Sequence, residues 1–251
     1  MHLPTSTVPF LGLRFDQLDE RNAVATVRKL AGRSPFAYIV TPNVDHLVRL
    51  HRQRENSPLW ASYASASLCL CDSRILKALA RLSGERLEVV PGSDLTARIL
   101  GSAGEWPSAA VIGGDDTLIR KLRSLYPTLT WHWHTPPQKV LHDPKAQLQI
   151  IEFVESSPAG LFFFAIGSPQ SELVCAEIAA RRRAHGVGLC IGASLEFLTG
   201  AKARAPVWMQ RAGLEWLFRL SSEPSRLWRR YLIDGPRIFL IWWRWRFSSS
   251  R

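Results

Sequence analysis

The residues best suited to chemistry sit just after short apolar runs. Asp72 follows Ser67-Leu-Cys-Leu-Cys71. A lone carboxylate there can take a proton from an attacking hydroxyl. It can equally cap a helix that begins near Ser73, and position alone leaves both roles open. Gly113-Gly114-Asp115 follows Ala109-Ala-Val-Ile112, where a backbone without side chains can approach a phosphate or ribose closely. The same pair also suits an ordinary tight turn. Arg226, Arg229 and Arg230 stand at i, i+3 and i+4, so one helical face would carry all three, with Arg219 a short distance upstream. Guanidinium groups grip phosphate oxygens in bidentate fashion, although a solvated basic face has the same pattern. His132 and His134 alternate with Trp131 and Trp133 and lack a third ligand at useful spacing, which favours a polar strand face over a metal site. There is no GxGxxG, no GxxxxGK[ST] and no GxSxG. Cys69, Cys71, Cys175 and Cys190 form no CxxC pair and lie in apolar surroundings, as buried thiols in a reducing compartment would. No metal or other cofactor is expected.

Positioning these residues requires a scaffold, and the chain alternates strand and helix patterns. Strands are expected at Ala37–Thr41, Ser67–Cys71, Ala109–Ile112, Leu129–His134, Gly160–Ile166 and Gly188–Ile191. Helical spacing falls at Val44–Arg54, Thr117–Tyr126 (with Asp116 as N-cap), Ala146–Glu155 and Glu172–His185. This rhythm predicts an α/β fold, a Rossmann-like, doubly wound and mostly parallel sheet. Ligands of such sheets bind outside the carboxyl ends of the strands. Those ends here carry Thr41, Asn43, Asp72, Gly113-Gly114, Gly167 to Glu172 and Gly192 to Glu196. After about residue 200 the character changes, dividing the chain into an α/β body (1–200) and a basic helical appendage (201–251). Ala205–Leu220 reads as one amphipathic helix, Ser225–Ile233 as another, and a Trp/Arg-rich tail follows Gly235-Pro236.

The 251 residues are 46% hydrophobic, enough for a real core, and the net charge is +11. From Lys202 to Arg251 eleven basic residues face three acidic ones, a net of +8. Such a tail suits nucleic acid, an anionic membrane or a diphosphate substrate. No nucleic-acid-binding motif is present, which disfavours the first. Trp242, Trp243 and Trp245 with Arg244 and Arg246 fit the headgroup region of a bilayer. No apolar run is long enough to span one. The first residues lack the basic and apolar regions of a signal peptide, so a cytoplasmic, peripherally membrane-bound protein is expected.

Several blocks together resemble the WecG/TagA/CpsF family of bacterial glycosyltransferases: Thr41-Pro-Asn43, Cys71-Asp72-Ser73, Val90-Pro-Gly-Ser-Asp-Leu95, Gly167-Ser-Pro-Gln-Ser-Glu172, Gly192-Ala-Ser-Leu-Glu-Phe197, Arg204-Ala-Pro-Val-Trp208 and Gly213-Leu-Glu-Trp-Leu-Phe-Arg-Leu220 with Glu223-Pro224, Arg226 and Arg229-Arg-Tyr231. The resemblance implies an inverting, metal-independent transfer from a UDP-sugar to a polyprenol-diphosphate-linked glycan at the cytoplasmic membrane face. It makes Asp72 the general base and puts Thr41 and Asn43 in the same pocket. It also implies that Arg219, Arg226 and Arg229 of the appendage complete the site, and that the protein self-associates. Ser168, Gln170, Ser171, Glu172 and Glu196 fall on the donor side, and loop amides near Gly113-Gly114 and Gly167-Ser168 are further candidates for holding the diphosphate. Some positions depart from the family pattern: Cys71-Asp72-Ser73 stands for Pro-Asp-Gly, Gln170 and Ser171 for Lys-Gln, and Leu195-Glu196 for Phe-Asp. They point to the xanthan-type glucosyltransferase branch, with glucose or an N-acetylhexosamine as the transferred sugar. Two other readings predict different behaviour. An inactive membrane scaffold would bind liposomes without turnover. A basic nucleic-acid-binding protein would bind oligonucleotides in a salt-sensitive way without needing Asp72.

Overall fold

The computed structural model describes residues 6–32, 35–102 and 106–248. Six parallel strands make the central sheet in the order β4-β3-β8-β7-β5-β6. They are β3 (Ala37–Val40), β4 (Leu68–Cys69), β5 (Ser108–Ile112), β6 (Thr130–His134), β7 (Leu161–Phe164) and β8 (Val187–Cys190). The central strands β3, β5, β7 and β8 are buried throughout, which is why they read as unbroken apolar runs. Register matters most for function. Val40 pairs with Cys190, Cys190 with Phe164, Phe164 with Ile112 and Ile112 with His134. The strands therefore end level, and the loops that follow share one edge.

One face of the sheet packs Tyr38, Val40, Phe162, Phe164 and Cys190 against α2 (Val44–Leu50), α3 (Pro58–Ala64), α7 (Pro144–Ser156) and α8 (Gln170–Arg181). The other packs Ile39, Val111, Phe163 and Leu189 against α1 (Glu20–Ala31), α5 (Gly92–Gly101) and α6 (Asp116–Leu125). Helix α6 leads outward from β5 to β6, whereas α8 leads back from β7 to β8 on the opposite face. The gap between the ends of β5 and β7 is thus a topological switch point, the usual ligand crevice of such sheets.

An antiparallel hairpin, β1 (Thr7–Phe10) and β2 (Leu13–Asp16), lies outside the main sheet, and the alternating pattern from residue 37 onward gives no sign of it. Asp16 pins it to the sheet by accepting the Cys69 N–H at 2.8 Å. Helix α4 (Arg74–Leu82) begins directly after Asp72. The N-cap of α6 is Asp115, which accepts the Leu118 N–H at 2.8 Å, and not Asp116 as the spacing suggests. The single helix expected over 205–220 is two, α10 (Val207–Arg211) and α11 (Glu215–Ser222), because Gly213 between them takes φ +73° and turns the chain. Past α12 (Pro224–Trp228) the chain widens into a π-helical turn over Arg229–Asp234, then forms α13 (Arg237–Ser248).

The Trp/Arg tail is therefore a helix with two apolar sides. Ile238 is buried in the core, with Ile241, Trp242 and Trp245 packed beside it. Trp242 Nε1 donates to Ser83 Oγ at 2.7 Å, and Trp245 meets Phe10 edge-on at 5.1 Å. Two of the three tryptophans that the sequence suggests for lipid thus belong to the body of the protein.

Candidate functional site

The β4 path continues past Cys69 through a bridge between Cys71 and Val89, and the Asp72 N–H donates to Pro42 O at 3.0 Å. Ser73, not Asp72, is the helix cap. Ser73 Oγ accepts the Leu76 N–H at 3.2 Å and caps α4, leaving the Asp72 carboxylate free of that duty. The carboxylate accepts instead the N–H of Gly92, at the start of α5. Burial pushes its pKa up to about 7; the charges of Glu215 and Asp94 push the same way, while Arg219 and the Gly92 N–H hold it down. A carboxylate poised near neutrality suits a general base.

Thr41 is buried beneath this turn, and its hydroxyl donates to Cys190 O at 3.3 Å. A Cβ on Gly92 would stand 3.0 Å from Thr41 Oγ1 and 3.6 Å from Ser194 Oγ. Thr41, Gly92 and Ser194 are thus packed against one another below Asp72. Gly92→Ala is expected to cut kcat about tenfold, as displaced catalytic groups do, while shifting the Tm by only a few degrees. Steady-state turnover and thermal unfolding of the same preparation check this.

Asn43 stands at the N-cap of α2. Its side-chain oxygen accepts the Asp45 N–H at 3.1 Å, and its own N–H donates to His46 Nδ1 at 3.0 Å, capping α2. Gly113 and Gly114 take φ values of +102° and +76°. A Cβ on Gly113 would meet the Ala165 backbone at 3.0 Å, so this glycine lets the β5 and β7 loops approach at the switch point, while a Cβ on Gly114 would run into Leu118 of α6. In the β7 loop, Ser168 Oγ accepts from Arg49 Nη1 at 3.0 Å, and Gln170 Nε2 donates to Ile166 O at 2.7 Å. Ser171 and Glu172 face inward. Ser171 Oγ donates to Gly167 O at 3.2 Å. Glu172 is 3% exposed, accepts from Tyr63 OH at 3.2 Å, and lies 3.9 Å from His46; burial raises its pKa. Both residues brace the loop. Glu196, in α9 (Ser194–Leu198), is engaged by Lys202 Nζ at 2.7 Å.

Where α9 meets the C-terminal helices there is a cavity of about 240 Å³. Lys202, Arg219, Arg226 and Arg230 line it with Phe197, Phe218, Tyr231 and Glu223. Arg219 donates to Glu215 Oε1 at 2.7 Å, and its guanidinium stacks 4.7 Å over Phe197. Arg230 reaches Asp45 Oδ2 at 3.4 Å, on the carboxylate that also takes Arg49 at 2.7 Å. The Nε atoms of Arg219 and Arg230 are buried with no hydrogen-bond partner, a costly arrangement unless a ligand supplies one. Arg229 does not line the cavity; it is exposed and lies over Trp228 at 5.8 Å. The one-face cluster of three arginines assumes a regular α-helix, and the wider turn that begins at Arg229 puts Arg230 in the cavity instead. Gly92 and Phe197 fall inside the Val90–Leu95 and Gly192–Phe197 blocks, where the sequence assigns them no role, and nothing in the local pattern marks Lys202.

Arg219 links the two parts, because it lines the cavity and its charge acts on Asp72. A base beside fixed positive charge suits transfer reactions that expel an anionic leaving group. The chain matches the Glycosyl transferase WecG/TagA/CpsF family over residues 8–251, nearly its whole length, and belongs to it. It is a glycosyltransferase.

Proposed function

We propose that the enzyme moves a hexose, glucose or an N-acetylhexosamine, from a UDP-sugar to a polyprenol-diphosphate-linked saccharide, with inversion, in the assembly of a bacterial surface or exported polysaccharide. The observation that carries this is the pairing of Asp72 with a cationic cavity whose arginines keep unpaired donors. In a single displacement Asp72 takes the proton of the acceptor hydroxyl, the oxygen attacks the anomeric carbon, and the electrons of the broken C–O bond leave with UDP. Arg219, Arg226, Arg230 and Lys202 then neutralise the departing diphosphate. Thr41 and Gly92 hold the base in place, and the crevice at the switch point offers backbone N–H groups of Gly114, Gly167 and Ser168 to the rest of the donor, the Gly113 N–H being taken by His134 O at 2.9 Å. Among the described residues no group of three His, Cys, Asp or Glu side chains could hold a metal ion. The test is UDP release from a panel of UDP-sugars with a synthetic polyprenol-diphosphate saccharide. Release that depends on both partners supports the reading; release indifferent to the acceptor would sink it.

The acceptor's lipid places the reaction at a membrane, and the outer side of α13 suits an anionic one. Phe239, Leu240, Trp243 and Phe247 are exposed there, flanked by exposed Arg237, Arg244 and Arg246. No helix among the described residues is long and apolar enough to cross a bilayer. Trp243→Ser with Phe239→Ser is expected to weaken sedimentation with vesicles containing phosphatidylglycerol at least tenfold and to leave the Tm nearly unchanged, since neither residue enters the core. Equal sedimentation of both proteins would exclude this face as the docking surface.

A further inference from the structure

Two blocks singled out in the sequence, Val90-Pro-Gly-Ser-Asp-Leu95 and Arg204-Ala-Pro-Val-Trp208, are joined by an ion pair: Arg204 Nη2 donates to Asp94 Oδ1 at 2.5 Å. Asp94 lies in the first turn of α5, two residues after the Gly92 whose N–H holds Asp72. Arg204 opens the stretch that leads into α10 and α11. At the next turn of that stretch, Gly213 comes down on Arg74, two residues past Asp72; a Cβ there would stand 3.6 Å from Arg74 Cβ. Glu215 and Arg219 follow, and their charges act on the Asp72 carboxylate. Residues 204–219 therefore cross the base like a strap, fastened on one side to α5 and on the other to the start of α4.

We infer that the Asp94–Arg204 pair is a latch that positions Asp72, by fixing the strap to the same helical turn whose Gly92 N–H orients the carboxylate. The inference rests on the reading of Asp72 as general base. An ordinary surface ion pair contributes little. This one differs in two ways. Both side chains are about two-thirds covered, and Arg204 Nε itself is buried with no hydrogen-bond partner. Ala205, the next residue, is 4% exposed. The latch also has an electrostatic side. The charged groups facing Asp72 are Arg219 and Glu215 from α11 and Asp94 from α5. Arg204 offsets the one carboxylate of that set on α5, so its loss and the loss of Asp94 should act on Asp72 in opposite directions.

The full-length protein gives the test. Asp94→Asn, Arg204→Gln and Arg204→Lys are made alone and combined with Asp72→Asn. The first readout needs no substrate: the Tm gained from Asp72→Asn, followed from pH 4 to pH 9. The latch predicts that this gain levels off at lower pH in the Asp94→Asn background and at higher pH in the Arg204→Gln background, each by roughly half a unit to one unit. The second readout is acceptor-dependent UDP release. Arg204→Gln should lower kcat about tenfold with KM for the UDP-sugar within about twofold, and Arg204→Lys should restore most of it. Shifts in the same direction, or no shifts, overturn the latch even if Asp72→Asn abolishes turnover and the base reading stands. Full turnover in Asp72→Asn instead removes the base reading, and the latch with it. If Arg204→Gln fails to fold, the Asp94→Asn background decides alone: levelling off at lower pH supports the latch, and no shift or a shift to higher pH overturns it.

Discussion

Asp72→Asn is expected to lower turnover by about 10²- to 10⁴-fold, the range that a positioned general base supplies, with binding of the UDP-sugar retained. The amide keeps the size of the carboxylate and an oxygen for the Gly92 N–H, so shape is preserved and only the proton acceptor is lost. The same substitution should stabilise the protein. Asp72 titrates near 7 in the folded chain against an ordinary 3.8. Between those values the folded state holds a proton that the unfolded chain has released. Stability therefore falls as pH rises through that window, and it is level above it. Asparagine removes this penalty. The Tm of the variant should match wild type near pH 4 and exceed it by roughly 2–6 °C above pH 7, a range reduced for the partial exposure of the side chain. Below about pH 7, kcat/KM of the wild type should fall close to tenfold per unit as the base is protonated. Thermal unfolding and UDP release across pH check both halves. A variant that loses activity without gaining stability at pH 8 would show that Asp72 is not held at a raised pKa.

Arg219→Ala should produce the second large effect, a fall in kcat/KM of about 10²- to 10³-fold, comparable to removing one donor from a preorganised anion site. This side chain would serve both parts of the proposed site. It stacks on Phe197 in the cavity wall, and its charge lowers the pKa of Asp72. Its loss should weaken release of the diphosphate and also move the acid limb of the pH profile upward. Arg219→Lys should recover the pH profile better than the rate. An ammonium supplies charge, but neither the planar stack on Phe197 nor the forked donors. Full recovery of the rate with lysine would mean that point charge alone is required.

The sheet is legible in the sequence because parallel strands covered on both faces must be apolar along their whole length. Ala37–Val40 and Leu161–Phe164 can be read as little else. The carboxyl edge follows from the same rule, so Thr41, Asp72 and the glycine loops stand out before any geometry. Position does not settle the role of Asp72, since Asp72 and Ser73 are both good caps and only the hydrogen bond to Leu76 N–H distinguishes them. Helix α1 carries a sequence signal of its own, Asp19 as N-cap ahead of Val24, Val27 and Leu30. The hairpin is harder, because Pro9 within β1 argues against a strand and is tolerated here on a two-stranded ribbon outside the main sheet. Arg230 takes the place expected for Arg229 because a π-helical turn leaves no mark in residue spacing. The tail misleads for a related reason: a helix studded with tryptophan looks the same whether lipid or protein covers it.

The docking of α13 joins the two ends of the described chain. Phe10 lies in the β1–β2 hairpin, while its partner Trp245, and Ile238 in the shared core, come from α13. Synthesis must therefore reach α13 before that side of the core can close. Until then, the half-built domain exposes apolar surface around the hairpin and α4 that a chaperone would recognise. The helix proposed to meet the membrane is thus also the element that closes this side of the core, so the two properties arrive in the same step.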